Sequence, residues 1–147
     1  MSKLVSTKGF TLVEITIVVI IIGILAGLAL PRLSFVVERQ RSTEGTNILA
    51  AIRAAQERWR LESGNYTANI LDLDIGVPGL NGEPFPRNFN APVLQNGGGG
   101  GNCTNNRLAS IVRTGVLYTL EICGQGDPAN IFCTDGTIPN ICSKMGF

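Results

Sequence analysis

A chain of 147 residues fits one domain and leaves no room for a second sizeable core. Twelve basic and eleven acidic side chains leave a net charge of +1, so no overall charge bias points to a polyanionic partner. Histidine is absent and none of the four cysteines shows C-x-x-C spacing. Zinc sites of the usual kind and Ser/His or Cys/His nucleophile pairs are therefore excluded from the start. The 44% hydrophobic fraction is ordinary, but its distribution is not.

Residues 1–9 are short and polar, with Lys3 and Lys8 as their only charges. Positive residues ahead of a first span favour keeping that end in the cytoplasm. From Phe10 to Leu30, a run of 21 residues, the only charge is Glu14 and the only other polar side chains are Thr11 and Thr16. That length matches the roughly 20 apolar residues needed for a helix to cross a bilayer core. Pro31-Arg32 marks the end of the run, and residues 31–63 turn amphipathic. Ile48, Ile52, Ala55 and Trp59 recur at steps of four, three and four, which predicts one buried stripe, with Arg53, Gln56, Glu57 and Arg60 on the other side. Phe10 to about Ser63 thus reads as one long helix, with Gly45 as its weak point or gentle bend.

Gly64-Asn65 supplies a helix stop. A loop then runs from Tyr66 to about Asn106, holding Pro78, Pro84, Pro86 and Pro92 and the five-glycine run Gly97 to Gly101, read as flexible and exposed. Leu108–Val112 and Val116–Ile122 favour strands and flank Arg113-Thr114-Gly115, which predicts a hairpin. A third strand is expected over Ile131–Cys133. The expected fold is α+β: a long N-terminal membrane-spanning helix packed on a small antiparallel sheet, with a globular head over residues 64–147.

Lys8-Gly9-Phe10-Thr11-Leu12-Val13-Glu14 carries the most information. An ordinary secretory signal is cut after its apolar core, whereas here the small residue precedes it. The arrangement resembles the prepilin signal of type IV pilins and type II secretion pseudopilins, closely over Lys8 to Pro31 and more loosely through Gly64-Asn65-Tyr66. The resemblance implies that a membrane prepilin peptidase removes residues 1–9 after Gly9 and that the new N-terminus, Phe10, is methylated. It further implies that Glu14, a carboxylate too costly to leave idle inside a span, pairs with the Phe10 amine of a neighbouring subunit as a filament grows. Gly23 and Gly27 form a G-x-x-x-G followed by Pro31, a spacing suited either to close helix packing or to local loss of helix on assembly. Partners expected from the resemblance are identical or related pilin subunits, the peptidase, an inner-membrane assembly platform and membrane lipid. The precursor is expected as a single-pass inner-membrane protein, and the product as a surface pilus or a periplasmic pseudopilus.

Four cysteines beyond a span, Cys103, Cys123, Cys133 and Cys142, point to disulfides in an oxidising compartment. Of the three pairings, Cys133–Cys142 with Cys103–Cys123 is favoured. The first closes a short loop that resembles the C-terminal disulfide loop of many type IV pilins. Cys123 with Cys133 stays open as a competitor, because both flank one turn.

The leading functional expectation is a structural pilus subunit for adhesion, motility or DNA uptake, and the runner-up is a secretion pseudopilin. The resemblance implies that major pseudopilins of that kind usually carry a calcium loop near the C-terminus and lack disulfides, so the cysteines favour a pilus; Asp127 and Asp135 are few for such a loop, and turn-forming aspartates are the commoner reading. An anchored enzyme or binding domain lacks support, since no phosphate-cradling loop or paired carboxylates occur, and no catalytic residue, cofactor or metal is expected. Nucleic-acid binding is unsupported, because Arg87, Arg107, Arg113 and Lys144 do not cluster in the chain.

Overall fold

The computed structural model describes residues 9–80, 82–115, 118–128 and 131–147, and for residues 29–33 it describes the backbone alone. The chain divides into one unit ending at Ser34 and a second from Phe35 to Phe147. Helix α1 (Leu12–Ser63, 52 residues) contributes to both.

In the first unit α1 follows a short non-helical stretch, Gly9–Thr11. Every described side chain from Phe10 to Leu28 is exposed, including Ile20, Ile22 and Leu25 at about 60%. A helix apolar on all sides has no single face to bury against a core, so it needs an apolar environment all round. Among the described residues no helix is long and apolar enough to cross a membrane. The run read from the sequence continues through Ala29 and Leu30, whose side chains lie outside the described residues.

The second unit is built on a four-stranded antiparallel sheet in the order β1 (Val93–Leu94), β2 (Arg107–Val112), β3 (Thr119–Cys123) and β4 (Ile131–Thr134). A short helix α2 (Ile141–Met145) follows. Leu49 and Ile52 of α1 join Leu108, Ile111, Leu120, Ile122, Phe89, Tyr118, Ile141 and Met145 in one core, so the helix packs on the sheet as the α+β reading requires. The helix stops where the sequence signalled: the Gly64 amide donates to the Arg60 carbonyl at 2.8 Å, and Gly64 takes φ +88°, a conformation that favours glycine.

Several expectations are corrected. The buried stripe runs through Ser42, Gly45, Leu49, Ile52, Ala55 and Gln56, leaving Ile48 and Trp59 half-buried at its margin. Gln56, assigned to the outer face, is fully buried, because its amide reads backbone: Nε2 donates to the Thr67 carbonyl at 2.5 Å and Oε1 accepts from the Thr67 amide at 3.0 Å. Gly45 marks no interruption of α1; it is packed so tightly that a Cβ there would lie 2.8 Å from Phe89 Cζ and 3.0 Å from Leu120 Cδ1 of β3. Strand β3 begins at Thr119, past Tyr118, with Val116 and Leu117 outside the described residues. The loop from Tyr66 holds a 3-10 turn (Ile70–Asp72) and β1, neither of which the sequence suggested. The glycine run is no free linker: Gly98 donates to the Asn105 carbonyl, and the Gly100 and Cys103 amides and carbonyls bond reciprocally.

Candidate processing and assembly site

Gly9 and Phe10 are both exposed and lie in non-helical backbone ahead of α1, and nothing stands within 4 Å of where a Gly9 Cβ would be. An exposed, irregular segment next to a helix start is the kind of backbone a peptidase can reach. Thr11 and Glu14 then form a capping box that the sequence reading overlooked, although the T-x-x-E signature was present. The Thr11 amide and hydroxyl donate to Glu14 Oε2 at 2.9 and 2.8 Å, and the Glu14 amide donates to Thr11 Oγ1 at 3.2 Å. Glu14 therefore already has work within its own chain, satisfying donors that the first helical turn leaves open. Its Oε1 takes no hydrogen bond among the described residues, so one carboxylate oxygen stays open to a further donor. Gly23 and Gly27 have nothing within 4 Å of their Cβ positions, which leaves that face of the helix open to a neighbour. The backbone stays helical through Pro31, yet proline has no N–H to return to the Gly27 carbonyl.

Where α1 enters the second unit, an ion pair that sequence reasoning missed fastens it to the sheet. Arg113, just past β2, donates from Nε to Glu38 Oε1 at 2.5 Å and from Nη2 to Glu38 Oε2 at 3.3 Å. Its Nη1 donates to the carbonyls of Asn88 at 2.8 Å and of Thr114. Both ion-pair residues are only 6% exposed. Tyr118 Oη lies 3.4 Å from Glu38 Oε1, and Arg41 stands 3.3 Å from Oε2. Burial pushes the Glu38 carboxyl up, but the Arg113 bonds and charge, helped by Arg41, outweigh it and hold the group below its usual range. Burial and the Glu38 charge push the Tyr118 phenol up. No signal in the chain pairs residues 75 apart, so only the fold reveals this contact.

The cysteines form Cys103–Cys123, with Cα atoms 5.5 Å apart, and Cys133–Cys142, at 5.6 Å. The first ties the glycine turn to β3, and the second ties β4 to α2. Asp127 and Asp135 both serve backbone. Asp127 accepts from the amides of Asn106, Asn105 and Thr104, which hold its carboxyl below its usual range. Asp135 accepts from the amides of Asn140 and Cys142, fixing the entry to α2.

A family described as the prokaryotic N-terminal methylation motif matches residues 6–30. The fimbrial protein EcpC of Eikenella corrodens is 32% identical over 109 residues, covering 74% of this chain and 68% of that protein. The chain belongs to the type IV pilin and pseudopilin family. The type II secretion system core protein G of Pseudomonas aeruginosa is 35% identical over 83 residues, 56% of this chain and 58% of its own length. A fimbrial protein of Pseudomonas aeruginosa is 44% identical over 67 residues, 46% of this chain and 44% of its own length. The chain thus spans less than two thirds of the core protein G relatives it matches. No solved structure matches it.

Proposed function

We propose that the chain is the precursor of a filament subunit of a type IV pilus. Residues 1–9 are removed after Gly9, Phe10 is methylated, and residues 10–30 pass from the inner membrane into the core of a filament. The observation that carries this reading is the unbroken exposure of apolar side chains from Phe10 to Leu28 directly behind an accessible Gly9–Phe10 bond. Such a surface is stable only in lipid or among other apolar helices. Glu14 Oε1 then accepts from the Phe10 amine of an adjoining subunit, a contact strengthened where little water competes. The Gly23–Gly27 face lets neighbouring helices approach, and the unreturned Gly27 carbonyl ahead of Pro31 lets the helix loosen as copies pack. Partners are other pilin subunits, the prepilin peptidase, the inner-membrane assembly platform and membrane lipid; the role is structural and not enzymatic.

Intact-mass spectrometry of sheared filaments tests the maturation step. It should find 147 − 9 = 138 residues with one added methyl group. Filaments that retain the leader would overturn the reading. Loss of Lys3 and Lys8 takes the formal charge from +1 to −1.

A secretion pseudopilus is the second reading, favoured by the relatives named type II secretion system core protein G. Against it stand the match to EcpC across more of this chain, the two disulfides, and the aspartates committed to backbone amides. Deleting the gene separates the two: loss of surface filaments with protein export intact supports the pilus, and the reverse supports the pseudopilus.

A further inference from the structure

A cleft of about 230 Å³ opens at the C-terminal end of α1, lined by Arg60, Asn65, Tyr66, Asn96, Asn106 and Gln125. Four of these six side chains are carboxamides. Its floor is held by Tyr66, whose hydroxyl donates to Glu57 Oε1 at 2.8 Å and accepts from the Gln125 amide at 2.9 Å. That position requires Gly124, since a Cβ there would lie 2.7 Å from Tyr66 Oη. One wall is held by Asn106, whose Nδ2 donates to the Gln125 carbonyl at 2.7 Å. Gly97, at φ +82°, comes so close that its Cβ would lie 2.9 Å from Asn106 Oδ1. Segments far apart in the chain are therefore cross-tied around one opening, which fixes the backbone that carries the exposed side chains of Asn65, Asn96 and Gln125.

The side-chain amides of Asn65, Asn96 and Gln125 make no hydrogen bond among the described residues. Each presents a donor beside an acceptor, the combination that suits a hydroxyl acting in both senses. Arg60 adds donors but little net charge, because Glu57 stands 3.0 Å from its Nε. An anion would meet a charge already balanced and several carbonyl oxygens, and an apolar ligand would strand the amides. The volume lies below the roughly 300–1,000 Å³ of pockets for drug-sized molecules, so it suits one small ring. We propose that this cleft binds the neutral pyranose at the end of a glycan, with the free amides of Asn65, Asn96 and Gln125 reading its hydroxyls.

The test uses the full chain in a sugar-free detergent, lauryldimethylamine oxide, and saturation-transfer NMR with galactose, glucose, mannose and N-acetylglucosamine. At least one sugar should give a saturable signal, and inorganic phosphate at the same concentration should not displace it. Asn96→Ala with Gln125→Ala should weaken that signal by about tenfold, the loss expected from one or two neutral hydrogen bonds. Asn65→Ala serves as an independent variant, and an unchanged melting curve checks folding in both. The proposal is overturned by the absence of any saturable sugar signal, by full binding in both variants, or by displacement with phosphate, which would make Arg60 the centre of an anion site.

Discussion

Replacing Arg113 by methionine tests whether one buried contact fastens α1 to the sheet. The substitution keeps much of the apolar stem but deletes the guanidinium fork. Glu38, 6% exposed, then keeps only Arg41 at 3.3 Å, a side chain 46% exposed, and the Tyr118 hydroxyl at 3.4 Å. The carbonyls of Asn88 and Thr114 each lose a donor as well. Breaking one side of a buried pair costs about 3–5 kcal/mol. Because Arg41 still compensates in part, the expected loss is near the lower bound, about 3 kcal/mol. Urea unfolding of the full chain in detergent, followed by fluorescence of Trp59, the chain's single tryptophan, measures it. Adding Glu38→Gln should recover part of the loss, with a coupling of about 2 kcal/mol in the double-mutant cycle. The same contact sets an acid limit. Glu38 titrates below its ordinary value in the fold, so its contribution is present above the unfolded value of about 4.3 and fades as pH falls through the lower folded value. Arg113→Met should shrink that acid loss. A single-variant cost under about 1 kcal/mol, or additive effects in the cycle, would refute the reasoning.

Three further outcomes are expected. Glu14→Gln preserves a capping-box residue but removes the charge, whereas Glu14→Ala removes both; both should reach the membrane and lose their leader, and both should fail to enter filaments. Normal sheared-filament yield from Glu14→Gln with a defect in Glu14→Ala would leave capping as the residue's only task. Gly45→Ala gains about 1 kcal/mol of helix propensity but drives a Cβ to within 2.8 Å of the Phe89 ring, which is buried and set edge-on to Tyr118; overpacking of about 1–3 kcal/mol should win, and a raised melting temperature would contradict it. By loop length, removing Cys103–Cys123 (separation 20) should cost about 3 kcal/mol and removing Cys133–Cys142 (separation 9) about 2.5 kcal/mol, read as paired Cys→Ser variants in urea; four labelled thiols in the native wild type would contradict both bonds.

The parts of the fold that local chemistry dictates were legible in the chain. An uninterrupted apolar run, a glycine stop at Gly64 and the alternation around Arg113-Thr114-Gly115 each act over a few residues, and α1, β2 and β4 lie close to where those signals put them. What escaped the sequence depends on contacts between distant segments. Gln56 looks like a surface residue until Thr67 supplies a backbone amide and carbonyl for it to bond. Gly45 looks like a helix defect until Phe89 and Leu120 press against it. The glycine run looks like a linker until Glu121 is placed: a Gly101 Cβ would run into its carboxylate oxygens, so only glycine lets this carboxylate settle against the turn and accept from the Asn102 amide. At the candidate site the position of Glu14 was legible, and its capping partnership with Thr11 was legible too but unread. The Glu38–Arg113 pair was not, since a glutamate among Val37, Arg39 and Arg41 has the look of an ordinary solvated helix face.

The sheet itself bears on how copies of this subunit join. Its two edges are β1, only two residues long, and β4, four residues long. An exposed edge strand offers unpaired amides and carbonyls to any neighbouring chain, and the proposed filament would hold such neighbours close. Short edges reduce that risk, and β4 is further restrained from two sides. Cys133 is bonded to Cys142 of α2, and Asn102 Nδ2 donates to Thr134 Oγ1 at 2.9 Å from the glycine turn. Among the described residues the longest run of exposed apolar side chains is the one from Phe10 to Leu28. Association through that surface is non-directional by itself, so under the function proposed above a polar contact within it would set register along the filament. Glu14 carries the only charge between Phe10 and Leu30, which is why one carboxylate is expected to decide whether the helices assemble in order or merely cluster.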